Sequence, residues 1–118
     1  MSYQVKNAFT LGTQLTTTPT SYYTVGIGAD TRLGAFTVTN QNASGGANVT
    51  YSVYFVPQGG SPGPANCIIN ENTVVAGKSD PGGYVTLGQV LPAGGSIYMK
   101  ASANSTLSVF GGITELVS

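Results

Sequence analysis

Between Asn48 and Gly60 the chain reads NVTYSVYFVPQGG. Val49, Tyr51, Val53 and Phe55 are spaced two apart, so on a strand they share one face, which is read as the core face. The opposite face runs Thr50, Ser52, Tyr54, Val56 and turns from polar to apolar along its length. It is expected to need a cover of its own. Similar short alternating runs rich in Val, Ile, Thr, Tyr and Phe recur along the whole chain, and no window carries helical spacing with a start signal. Strands are predicted near 8–11, 22–28, 33–40, 48–57, 66–75 (with a break), 84–91, 96–102 and 106–116. Tyr23, Val25 and Ile27 form one predicted inward row, and Phe36 with Val38 another. Val85 with Leu87, Ile97 with Met99, and Leu107 with Val109 continue the pattern.

Double glycines at 45–46, 59–60, 82–83, 94–95 and 111–112 mostly fall where alternation stops, as turns needing positive φ require. Pro57-Gln-Gly-Gly-Ser-Pro-Gly-Pro64 cannot be a central strand, because three prolines withhold ladder donors. About eight short strands with turns between them predict an all-β fold: a single antiparallel β-sandwich, jelly-roll-like, with an immunoglobulin-like sandwich as the alternative. Residues 1–20 are polar apart from Val5, Phe9, Leu11 and Leu15. They read as an N-terminal arm, with room for one edge strand, ahead of a sandwich domain over 21–118.

Composition changes the picture in one respect. Charged residues make up only 7% of the 118, against about 25% in an ordinary soluble domain. Lys6, Arg32, Lys78 and Lys100 balance Asp30, Glu71, Asp80 and Glu115, for a formal charge of zero. Such a surface resists association weakly. The scattered cations build no patch for phosphates, so nucleic acid is not an expected partner. No apolar run is long enough to span a bilayer as a helix. The start, MSYQVKNAFT, lacks the pattern of a secretory signal, and synthesis and folding in a cytoplasm are expected. The Asn-X-Ser/Thr contexts of Asn42, Asn48 and Asn104 are then expected to mean little, since glycosylation needs secretion.

Candidate chemistry is sparse. Histidine is absent and Cys67 is alone, which removes the usual general base, the usual zinc ligands and any internal disulfide. Cys67 is expected to be a small buried hydrophobe. Asp30 (ADTR) and Asp80 (SDPGG) sit in turn contexts, Glu71 in the loop-like INEN, and Glu115 near the C-terminus. No catalytic pair and no cofactor site is expected. Ala76-Gly-Lys-Ser79 resembles the end of a phosphate loop, but the first glycine of that motif would fall on Asn72, and Asp80-Pro-Gly-Gly83 forbids the helix. Gly26-Ile-Gly-Ala-Asp-Thr31 lacks the third glycine of a dinucleotide fingerprint. The tyrosine pairs Tyr22/Tyr23 and Tyr51/Tyr54 place rings on both faces of their strands, as core or as contact surface. Phe9, Leu11, Tyr22, Tyr54 and Val56 are the residues expected at an interface.

Gly83-Tyr-Val-Thr-Leu-Gly-Gln-Val-Leu-Pro-Ala-Gly-Gly-Ser-Ile-Tyr-Met-Lys-Ala-Ser102, Ser105-Thr-Leu-Ser-Val-Phe-Gly-Gly112 and VYFVPQGGSPGPAN over Val53–Asn66 resemble the small β-sandwich virion proteins of tailed bacteriophages, over roughly residues 22–112. The resemblance implies a structural virion protein made in the host bacterial cytoplasm, of the capsid decoration (cement) type. It implies a homo-oligomer, with a trimer favoured, bound to the major capsid protein or another virion protein. A neck or tail component is an alternative with the same texture. A carbohydrate-binding sandwich is the rival class, with tyrosines stacking on sugars.

Overall fold

The computed structural model describes residues 2–7, 9, 13–26, 28–80 and 89–117. Among the described residues the strands are β1 (Ser2–Asn7), β2 (Thr20–Thr24), β3 (Ala29–Asn40), β4 (Val49–Val56), β5 (Cys67–Val74), β6 (Ser79–Asp80), β7 (Val90–Leu91), β8 (Ser96–Ala101) and β9 (Leu107–Val117), with a 3₁₀ turn at Pro64–Asn66. All pair antiparallel. One sheet runs β1-β9-β3-β6, with β7 also on β3, and is called here the β9 sheet. The other, the β8 sheet, runs β2-β8-β4-β5.

The pairings are nested. β1 lies on β9, β2 on β8, β3 on β7 and β6, and β4 on β5. The chain is therefore one long antiparallel ribbon, doubled back between β4 and β5 and rolled into two layers. That is jelly-roll order. An immunoglobulin-like sandwich would set β1 beside β2, and here they lie in different sheets.

The alternation seen in the sequence carries this roll. Leu33, Phe36 and Val38 from β3, Val49, Tyr51 and Val53 from β4, Ile97 and Met99 from β8, and Leu107, Val109 and Ile113 from β9 are buried in one inter-sheet core. Val25 is buried just past β2, and Tyr23 and Phe55 pack partly buried against the core. Ile27, Val85 and Leu87 lie outside the described residues.

The tight turns share one construction. Gly46, Gly60, Gly95 and Lys78 each donate their N–H to the carbonyl three residues back. The residue before each donor is a glycine at positive φ, Gly45, Gly59, Gly94 or Gly77, as a type II turn demands. Gly111-Gly112 is different, since it lies inside β9. Gly34 and Ala35 bulge out of β3 opposite Gly112, between the Leu33–Ile113 and Phe36–Gly111 pairs. A Cβ on Gly34 would stand 2.9 Å from the Gly112 carbonyl oxygen, and one on Gly111 would overlap Phe36. Here glycine serves close approach rather than a turn.

The described residues among the first twenty do not stand apart from the sandwich. The strand predicted at 8–11 lies, apart from Phe9, outside the described residues, and β1 is an edge strand ahead of it. Phe9 and Leu15 are buried in the same core as the rest, and the Leu15 N–H bonds the Leu107 carbonyl at 2.8 Å. An arm ending at residue 20 has no counterpart in this packing, because those two side chains fill space between the sheets.

Candidate functional site

Of the residues expected at an interface, three are covered by the chain itself. Phe9 packs in the core against Tyr22 and Phe36, with ring centroids 5.8 and 6.0 Å away. Tyr22 is half-buried against the core, and its hydroxyl pKa is raised by burial, opposed by hydrogen bonding to Thr20 and Thr16. Leu11 lies outside the described residues. Tyr54 and Val56 point away from the core, as their alternation predicts, yet are only 7% and 2% exposed. Both stand outside the inter-sheet cluster. The strands beside β4 and the Pro57–Pro64 connector supply the cover. The 3₁₀ turn packs on β4, Tyr54 pairs with Cys67 and Tyr98, and Gly63 and Pro64 line a hollow with Tyr54. The connector is braced by Asn66, whose Oδ1 accepts the Gly63 N–H at 3.0 Å and whose Nδ2 donates to the Ser61 carbonyl at 2.9 Å.

Among the described residues, three of the four exposed large apolar side chains lie on the opposite layer; the fourth, Val75, follows β5. Val5, Val90 and Phe110 are 86%, 58% and 46% exposed. Val5 pairs with Thr114, Thr114 with Arg32, and Arg32 with Val90, one cross-strand row over β1, β9, β3 and β7. Directly opposed residues share a face, and Arg32 lies between the buried Thr31 and Leu33, so this is the outer face of the β9 sheet. Phe110 follows on the same face, four residues from Thr114 along β9.

Polar links that the sequence reading did not contain bridge the two sheets. The Tyr51 hydroxyl (β4) donates to Asp80 Oδ2 (β6) at 2.9 Å, and Asn72 Nδ2 (β5) donates to the same oxygen. The Tyr23 hydroxyl (β2) donates to Glu115 (β9), which is itself buried. Both tyrosines are pushed up to about 12 from 10.0. For Tyr23 the causes are burial and then Glu115, opposed by Thr31; for Tyr51, burial first, with Asn72 opposing and Asp80 adding. Asn40 (β3), fully buried, donates to the Val74 carbonyl at 2.9 Å and accepts the Asn42 N–H at 2.9 Å. The Tyr51–Asp80, Asn40–Val74 and Tyr23–Glu115 bonds join residues 29, 34 and 92 positions apart in sequence. Only a tyrosine or asparagine at an inward strand position hinted at them.

The carboxylates therefore sit elsewhere than their contexts suggested. Asp80 and Asp30 are strand residues rather than turn residues, and Glu71 lies in β5 rather than a loop. Asp80 pairs at Val38 of β3 and Glu115 at Thr31, a separation on the order of 20 Å along the strand. Among the described residues, no group of three or more His, Cys, Asp or Glu side chains could hold a metal ion. Cys67 is half-buried, not fully buried, and its Sγ approaches the Ile69 carbonyl at 3.2 Å.

The outer face of the β8 sheet is indented. Asn70 and Glu71 face Ser52 where one residue would suffice, a bulge between the Tyr51–Asn72 and Val53–Ile69 pairs. Glu71 takes φ 49° there, and its N–H donates to Ser52 Oγ at 2.9 Å. A hollow of about 240 Å³ lies over Thr50, Ser52, Glu71 and Lys100, and one of about 430 Å³ over Tyr54, Cys67, Asn70, Lys100 and the connector. Lys100 borders both. Neither a family model, nor a curated protein, nor a solved structure matches this chain.

Proposed function

We propose that this chain is a structural protein of a tailed-bacteriophage particle, of the capsid decoration type, acting through protein–protein contacts. The observation that carries the reading is the outer face of the β9 sheet, where Val5, Val90 and Phe110 are exposed on neighbouring strands. Exposed apolar side chains grouped on one sheet face mark contact surfaces. The occupant proposed for this face is a further copy of the chain, in a homo-oligomer for which three copies are expected.

Charge supports that choice. The face carries Asp30 and Arg32, one of each sign, both exposed and two apart on β3, and the whole chain sums to zero. A second copy therefore brings no like-charge repulsion. Area is consistent with it. The strands of the β9 sheet, of 6, 11, 12, 2 and 2 residues, outline a face of about 540 Å² at ~3.4 Å rise and ~4.8 Å spacing, about two thirds of the ~800 Å² per partner of a standard interface. The jelly roll itself recurs in viral capsid proteins, a fold-level analogy only.

Light-scattering mass tests the self-association, and electron microscopy of capsids incubated with the protein tests the docking. Oligomers that decorate the shell are expected. A monomer at all micromolar concentrations that leaves capsids bare would remove the reading.

A further inference from the structure

We infer that the outer face of the β8 sheet is a binding groove for a short oligosaccharide carrying a carboxylate, held across β4 with its acid group at Lys100.

The groove has a physical origin. Ser52 is a small side chain on the central strand β4, paired with Lys100 on β8 and faced by the bulged Asn70–Glu71 on β5. Larger groups on both flanks and a small one between leave a trough along β4. From Thr50 to Tyr54 it runs about 14 Å at the strand rise. The braced connector walls one end with Gly63 and Pro64, and Thr17 walls the other. The larger hollow alone falls within the ~300–1,000 Å³ of small-ligand sites.

The lining selects the chemistry. Thr17, Thr50 and Ser102 offer hydroxyls and Asn70 an amide, groups that both donate and accept as sugar hydroxyls do, while the buried Ser52 forms the floor with its Oγ taking the Glu71 N–H. An extended peptide fits less well. β4 is already paired on both sides, by β5 and β8, so the floor has no backbone groups left to extend a ladder. Tyr54 is almost wholly covered and cannot present a ring face for stacking, which keeps the affinity modest.

The two charges give the site a direction. Lys100 borders both hollows, while Glu71 borders only the smaller. Neither side chain meets an opposite charge among the described residues. A ligand carboxylate therefore belongs in the larger hollow, which contains Lys100 and no acid. The neutral, hydroxyl-rich part lies toward Glu71. No residue of the self-association face takes part, so this site and that oligomer succeed or fail separately.

Titrating the 118-residue protein with trigalacturonate, maltotriose and a triglutamate peptide, followed by amide NMR shifts, tests the inference. Trigalacturonate is expected to move the amides of Ser52, Glu71 and Lys100 and to saturate, with maltotriose about tenfold weaker. Lys100→Met should abolish that preference. Thr50→Phe, a half-exposed position, should block both sugars while the unfolding midpoint stays unchanged. Equal binding of the two sugars, binding that persists in Thr50→Phe, or an equal response to the peptide would each overturn the proposal. So would the absence of localised shifts with any probe.

Discussion

Outward residues of the β8 sheet, Ser52, Tyr54 and Val56, are buried, while outward residues of the β9 sheet, Val5, Val90 and Phe110, are exposed. The strands differ little in composition. What differs is the connection that follows. β4 runs into the long Pro57–Pro64 connector, whose prolines and glycines keep it from becoming a strand and bring it back over the sheet. Nothing among the described residues is laid in the same way over Val5 and Phe110. An apolar outward face thus has two fates, and loop geometry decides between them.

The largest expected effect concerns the start of the chain. A chain beginning at Thr20 lacks β1 and the buried Phe9 and Leu15. It should lose cooperative unfolding by circular dichroism altogether. A truncated protein that unfolds cooperatively with native β-signal would restore an arm separable from the sandwich.

The contrast between the two faces is sharpest in a matched pair of substitutions. Tyr54→Ala removes a covered ring and should cost about 3–5 kcal/mol. Phe110→Ala, at an exposed position, should stay within about 0.5 kcal/mol in a monomeric background. Equal losses in denaturant titrations would erase the distinction between the faces.

Next come the cross-sheet bonds. Tyr51→Phe leaves Asp80 short of one donor and should cost about 1–3 kcal/mol, read from the denaturation midpoint at neutral pH. The hydroxyls of Tyr51 and Tyr23 ordinarily titrate near 10.0 and are raised to about 12 in the folded chain. Their contribution to stability is complete below pH 10 and is lost as pH climbs toward 12. Tyrosinate absorbance should accordingly show Tyr23 and Tyr51 titrating late alongside the raised Tyr22, with one late tyrosine fewer in Tyr51→Phe. Ordinary titration of every tyrosine would contradict burial at both links.

Smallest in stability, though decisive for assembly, is Val5→Asp. The fold should change by no more than about 0.5 kcal/mol, while the solution mass should fall to that of the monomer. An unchanged oligomer mass would show that the contact surface lies elsewhere.

Much of the fold was legible in the chain. A period of two places Val49, Tyr51 and Val53 on one face whatever they pack against, because Cβ direction alternates locally. Proline and glycine mark the connectors for equally local reasons, φ restriction and the missing donor. The double glycine at 111–112 imitates a turn signal, and only the bulge at Gly34–Ala35 across from it shows a close approach instead.

Local rules could say that β4 has two apolar faces, but not what covers each. The cover of Tyr54 and Val56, the insertion of Phe9 between the sheets, and the Tyr51–Asp80 and Tyr23–Glu115 links all depend on segments distant along the chain. Those distances close only when the ribbon pairs β1 with β9 and β2 with β8. Strand identity and facing follow from stereochemistry within a few residues. Burial belongs to the rolled chain as a whole, since it is set by whichever remote surface arrives to exclude water.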